Sequence, residues 1–373
     1  MTKILRKTAA PLSLFILIGI LCGCRDTTYK IPSDSKPVEA SMPVSEVSPS
    51  WFTRLNDLTF TLSKDGDLVS GPGIGIALAF LMNSSEGQTS RELQTSLNLS
   101  DKESSDFNDA MNAYAGSLQD SGLSVTTGLF MVWPILVTPM FQEEMARAYG
   151  ADIVRLGSAG IGANRALNDY VRARSGGAID QFSPKLEREL VMVLASTQRF
   201  QAEWKQSPIQ SEDGTLRFAA PNRIAVSDRL RVSVIPLAGD RFDLVIAQTL
   251  LPHPEGSVGE MKETVALARD AKEANLPLSV PTFSVTAELD LAKALEPVGV
   301  KSLWTGPVDM PQVAMELRGN QRIGLAKQMF RFTVGAEGIG VGELRGKPIR
   351  RPGERFFLLD RKTGLVVVTG RLD

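Results

Sequence analysis

Cysteine is almost absent from this chain, and histidine nearly so. The 373 residues hold two cysteines, Cys22 and Cys24, and one histidine, His253, set between Pro252 and Pro254. A histidine-rich metal site is therefore excluded, and a Ser-His-Asp triad would have to be built on His253 in what reads as a surface turn. An excess of one charge is missing too. Lys and Arg number 41 against 42 Asp and Glu, a formal net charge of −1, so no global field draws the chain to nucleic acid. The sequence contains no nucleophile elbow, no phosphate-cradling glycine loop and no metal-ligand spacing. Gly73 and Gly75 lack the context of a nucleotide fingerprint, and the neighbouring Glu143 and Glu144 point to different faces of a helix. These absences point away from an enzyme, a metal and a cofactor.

What is present begins with a targeting segment. Lys3, Arg6 and Lys7 form a basic start, and residues 12–21 are apolar, a run short of the roughly 20 residues that a spanning helix needs. The run ends in Leu21, Cys22, Gly23, Cys24, which resembles a bacterial lipobox: a branched residue three places before the cysteine, a small one directly before it, and a thiol to accept the diacylglycerol. Residues 1–23 are then a lipoprotein signal peptide and Cys24 the lipidation site; an ordinary secretory signal with an incidental cysteine is the competing reading. Cleavage before Cys24 removes Cys22 and leaves no intramolecular disulfide in any compartment. Residues 25–50 are rich in Ser, Pro and Thr, with prolines at 32, 37, 43 and 49, and read as an extended tether. The expected location is the bacterial cell envelope or surface, outside the cytoplasm and held to the membrane by the lipid.

From Trp51 apolar periodicity continues to the C-terminus, so residues 51–373 read as one domain, with no internal repeat. Spacing predicts helices over 51–62, 75–83, 90–97, 142–149 and 164–174, the last stopped by Gly176 and Gly177. It predicts strands over 123–133, 190–200, 231–235, 244–251, 278–285, 330–334, 356–359 and 365–369. Helices fill the first half and strands the second, the order of an α+β fold.

Residues 330–372 resemble the C-terminal end of a serpin, in which a Glu-Gly hinge leads into a reactive-centre loop and then two closing strands. The hinge would be Glu337, Gly338 and Ile339, and the closing pattern Thr363, Gly364, Leu365, Val366, Val367, Val368, Gly370, Arg371. Other motifs follow in the same family's order: Ala77 to Phe80 with Gly87, Gln88 and Thr89; Leu167, Asn168, Tyr170, Val171, Ser175, Gly177 and Ile179; Phe200 and Trp204; Val280, Pro281 and Phe283; Asp290, Leu291, Leu295, Gly299 and Val300. Read without the family, Leu291, Leu295 and Val298 share a helical face, Pro281 starts a strand, and Trp204 is an apolar anchor, all core roles. The resemblance implies three β-sheets with surrounding helices, a monomer, and an endopeptidase of the serine or cysteine type as partner.

The chain departs from the family at three places. Gly71, Pro72, Gly73, Ile74 is one residue shorter than the serine-bearing turn near the sheet-opening region, and Ser196 and Thr197 replace an asparagine and an alanine. The polar network that helps such a sheet open is expected to be lost, leaving a sheet that stays shut. Where the family has small residues after the hinge, this chain has Ile339, Gly340, Val341, Gly342, Glu343, Leu344, Arg345. Strand alternation would turn Ile339, Val341, Glu343 and Arg345 inward, and burying the two charges costs several kcal/mol per ion. Pro348 has no amide for a central ladder, and the loop is about ten residues shorter than the resemblance requires. Arg345, Lys347, Arg350 and Arg351 would suit a trypsin-like protease as bait; the same cluster also reads as a solvated basic turn or an anion contact. Two functions follow: an endopeptidase inhibitor, favoured by the family, and a non-inhibitory binding or structural protein, favoured by the loop.

Overall fold

Local signals set the helix starts. In the computed structural model, which describes residues 38–64, 66–131, 137–156, 160–183, 185–186, 192–250, 257–313, 322–342, 344, 349 and 351–372, a serine or threonine caps several helices where Pro follows. Ser48, Ser70 and Thr138 accept from Ser50 N, Gly73 N and Phe141 N, and Pro49, Pro72 and Pro139 occupy the first turns, where a missing amide costs nothing. The helices therefore begin earlier than the apolar spacing alone indicates: α1 (Pro49–Leu62), α2 (Gly71–Ser84), α3 (Gly87–Ser96), α4 (Glu103–Gly116), then β1 (Leu123–Met131), α5 (Pro139–Tyr149), β2 (Asp152–Arg155) and α6 (Ile161–Arg174). Strands follow: β3 (Met192–Phe200), β4 (Ala202–Glu203), β5 (Ile209–Gln210), β6 (Thr215–Phe218), β7 (Asn222–Val226), β8 (Leu230–Pro236) and β9 (Phe242–Thr249). After α7 (Val258–Asp270) come β10 (Lys272–Ala274), β11 (Leu278–Pro281), β12 (Phe283–Asp290), α8 (Leu291–Leu295), α9 (Ser302–Thr305), β13 (Ile323–Val334), β14 (Gly338–Ile339), β15 (Glu354–Asp360) and β16 (Val366–Arg371).

The strands form three sheets, as the family resemblance implies. The largest runs β2-β1-β3-β13-β14-β4 with β12 also on β13, the second β10-β7-β8-β9-β15-β16, and the third β11-β6-β5. The expected strand at 278–285 is two strands in two sheets. Pro281 ends β11 rather than starting a strand, because it has no amide to extend the ladder, and after Thr282 the chain enters β12. Helices α4 and α7 escaped the sequence reading: their polar faces, rich in Asp, Ser, Glu and Lys, dilute the apolar spacing, yet Phe107, Ala110, Met111 and Tyr114 of α4 and Met261, Val265 and Ala268 of α7 are buried.

The packed body also starts before Trp51. Val44 and Val47 are buried, Ser41 N donates to Asn112 Oδ1 at 2.6 Å, and Asn112 Nδ2 donates to Glu39 O at 3.0 Å, so the last stretch of the expected tether lies on α4. Cys24 and the rest of the tether are outside the described residues, as is His253.

The large and second sheets meet through aromatic rings. Phe332 of β13 stacks on Phe356 of β15 at 5.0 Å between centroids, and Phe283 of β12 lies 4.9 Å from Phe356. One buried ion pair then ties the second sheet to α4. Arg241 donates through Nε (3.1 Å) and Nη2 (2.9 Å) to Oδ2 of the fully buried Asp360, and through Nη2 to Ser117 Oγ at 2.9 Å just past α4. Removing one member leaves an uncompensated charge inside the protein. Asp360→Ala should lower unfolding stability by about 3–5 kcal/mol in urea denaturation, and a midpoint unchanged from wild type would refute this role.

Candidate functional site: the hinge and the sheet it enters

β13 has two edges, and three strands share them. β12 pairs antiparallel along one edge, from Phe283 opposite Val334 to Asp290 opposite Lys327. The other edge is divided. From Ile323 to Phe330 it pairs parallel with β3, from Met192 to Gln198; beyond that point β14 enters, Ile339 opposite Val334 on one side and opposite Ala202 of β4 on the other. The predicted hinge is thus a short strand wedged between β13 and the continuation of β3, running antiparallel to both.

The wedge is held from three directions. The turn closes with Gly335 N donating to Gly338 O at 2.9 Å and Gly340 N to Thr333 O at 2.8 Å. Trp204 Nε1 donates to Gly335 O at 2.9 Å, and Gln201 Nε2 to Gly340 O at 3.0 Å. Ile339 is fully buried. Trp204, read from the sequence as an apolar anchor, does pack against Phe218, but its indole N–H is also a clasp on the hinge turn.

The glycines of this segment answer to backbone contact. A Cβ on Gly338 would lie 2.1 Å from Ala202 O, and one on Gly340, whose φ is +65°, would lie 2.0 Å from Phe200 O. Gly342 also has a positive φ, +69°, and its missing side chain leaves room for the exposed carboxylate of Glu337. Extended alternation therefore stops after Ile339. Val341 is half-buried rather than the second member of an inward row, because Gly340 and Gly342 turn the chain.

Below the wedge, a buried polar cluster joins α2 to β3 and β13. Ser70 N donates to Gln328 Oε1 at 2.8 Å, and Gln328 Nε2 returns a bond to Ser70 O at 3.2 Å. Ser70 Oγ donates to Gln198 Oε1 and accepts from Gly73 N at 3.1 Å, and Ser196 Oγ donates to Gly73 O at 3.3 Å. The expected loss of this network is corrected by the structure. Ser70, directly before the turn, carries the hydroxyl, and the side-chain amides of Gln198 and Gln328 are its partners together with Gly73. Gly73 makes the room: its Cβ would lie 2.4 Å from Gln328 Nε2. No local pattern marks the glutamines, which meet Ser70 across 128 and 258 positions of chain.

Of the basic residues after the hinge, Arg345, Lys347 and Arg350 lie outside the described residues, as do Glu343 and Pro348. Arg351 is half-buried and tied down: its amide donates to Leu372 O at 2.7 Å and its Nη1 to Ser279 O at 3.4 Å, with Glu354 Oε1 at 3.5 Å. Burial pushes the Glu354 carboxyl above its ordinary range, against the pull of Arg351.

Comparison with known proteins bears on the fold. The family model described as Serpin (serine protease inhibitor) matches residues 54–227. The chain is 24% identical over 340 residues to alpha-1-antitrypsin of Sus scrofa, covering 80% of this chain and 79% of that protein. Among solved structures, that of the thermophilic serpin tengpin in the native state superposes with a TM-score of 0.75 at 17% identity, covering 92% of this chain and 99% of tengpin. Thyroxine-binding globulin in complex with thyroxine also gives 0.75, at 16% identity, covering 85% and 98%.

Two substitutions test the site. Gly340→Ala should push β14 out of the sheet, and the amide at position 340 should exchange with deuterium at least about tenfold faster, the loss of one ordinary hydrogen bond's worth of protection. Full protection in the variant would sink the account of the wedge. Gln328→Ala strands the buried Ser70 amide and should cost about 1–3 kcal/mol by denaturant titration; a neutral result would mean that the cluster does not clamp the sheet.

Proposed function

We propose that this chain, which belongs to the serpin family, is an inhibitor of a serine- or cysteine-type endopeptidase outside the cytoplasm, with the segment after the hinge as bait and Arg345, Lys347, Arg350 or Arg351 as the residue the protease selects. The observation that carries this reading is the position of β14. Gly338 and Ile339 already form the first antiparallel pairs of a strand between β13 and the β3–β4 line, at the mouth of the β3–β13 pair. A cut in the loop would free the following residues to extend that strand, and the parallel β3–β13 ladder is the seam they would have to open.

The energetics of that extension work against it at named positions. Gly340 must leave its positive φ, Glu343 and Arg345 must be buried or paired, and the seam is clamped by Gln328, Ser70 and Gln198. Residues 340–353 are all that separate β14 from β15, which keeps the bait close to the body. This shortness favours a second reading, a non-inhibitory binding or structural protein on the same fold. Thyroxine-binding globulin, one of the structural neighbours, is by its description a binder of a small molecule.

The Leu21-Cys22-Gly23-Cys24 motif and the proline-rich segment after it support attachment to the envelope by lipid at Cys24. Metabolic labelling with a fatty acid is expected to mark the wild-type chain and not Cys24→Ala; label retained by the variant would remove the anchor.

Incubation with trypsin-like and subtilisin-like proteases followed by denaturing electrophoresis separates the two functional readings. The inhibitor should form a complex that survives denaturation, and the chain nicked between Gly338 and Arg351 should melt well above the intact form, since an added strand brings new hydrogen bonds and burial. A nicked chain that melts at its original temperature, with no covalent complex, would refute inhibition by insertion and leave the binding protein.

A further inference from the structure

On the far side of the molecule's second sheet, three side chains line up across neighbouring strands: Arg231 of β8 is opposite Gln248 of β9, which is opposite Glu354 of β15. They line one wall of a cleft of about 270 Å³ whose other wall is β11, and the buried apolar Ile246 of β9 and Leu278 of β11 line it as well. The row reads cation, amide, anion. Two strand spacings put its ends roughly 10 Å apart at the backbone.

The charges at the two ends are incompletely used. Glu354 is only 9% exposed, and while its Oε1 is 3.5 Å from Arg351 Nη1, its Oε2 has no hydrogen-bond partner among the described residues. A buried carboxylate oxygen left in this state is costly, and a donor entering from the cleft would relieve it. Arg231 is half-buried and makes no ion pair among the described residues, so its guanidinium fork is available to an acceptor. Arg351 is already committed to Ser279 O and Glu354.

We propose that this cleft binds a small zwitterion, a free α-amino acid with a compact apolar side chain. Its carboxylate pairs with Arg231, its ammonium donates to Glu354 Oε2, and its side chain rests on Ile246 and Leu278. The order of charges along the row fixes the orientation: a ligand carrying only one of the two groups satisfies only one end and leaves the other as it was. The cleft is separate from the hinge, and the site stands whether or not the chain inhibits a protease.

Isothermal titration calorimetry of the full chain with L-valine tests it, with isovalerate, which lacks the ammonium, and isobutylamine, which lacks the carboxylate, as matched probes. Valine should bind and both analogues should bind at least about tenfold more weakly, as should valine to Arg231→Gln and to Glu354→Gln. Arg231 makes no ion pair among the described residues, so Arg231→Gln should keep the fold and carries the test even if Glu354→Gln does not. Absence of binding by valine at about 10 mM, binding of either analogue as tight as valine, or unchanged affinity in Arg231→Gln would each overturn the assignment.

Discussion

The free edge of β13 is the constraint on which the rest of this structure depends. A strand has two edges, and here β12 takes one from Lys327 to Val334 while the other is divided between β3 and the hinge. Any residue that joins the sheet beside β13 below Phe330 must displace β3, because no backbone donor or acceptor in a buried sheet can be left unpaired. The division point therefore decides which residues pair with β13 on that edge. It lies where β3 ends at Phe200 and β4 begins, one residue beyond which Ala202 pairs with Ile339.

Two sets of contacts hold the division in place, and they differ in kind. Above it, Trp204, Gln201 and the turn amides hold the hinge by hydrogen bonds to its backbone, indifferent to the side chains that follow. Below it, Ser70, Gln198 and Gln328 hold the seam by side-chain bonds in a place without water access, where each broken bond leaves a costly orphan. The first set favours a hinge part-way into the sheet; the second opposes its going further. The glycines reinforce both, since Gly338 and Gly340 fit against Ala202 O and Phe200 O only without a Cβ, and Gly73 leaves the space that Gln328 fills.

Much of the fold was legible in the sequence because local chemistry wrote it. The closing strands and the helices over α1, α5 and α6 are legible in turn glycines, caps and apolar spacing within a few residues, whereas the hinge at Glu337, Gly338 and Ile339 is implied only by the resemblance to serpins. The errors came where a local rule met a tertiary demand. Pro281 was read as a strand start, but the chain changes sheets there; α4 and α7 were missed because their buried faces are diluted by long polar ones; and the end of the tether was read from its prolines, although Val44 and Val47 are buried beside α4.

By itself the sequence determined the α+β order, the family resemblance and the awkward chemistry of Glu343, Arg345 and Pro348, since each is a property of residue types at short spacing. Only the tertiary structure decided that the hinge is seated in the sheet, that Trp204 clasps it, and that a serine and two glutamines rebuild the cluster whose loss the shortened turn implied. Those partners lie up to 258 positions apart, and hydrogen bonds have no sequence period: two glutamines in strands look alike whether they face water or each other's buried neighbours. Which of them meet is fixed by strand register, and register is settled only when all three sheets have packed.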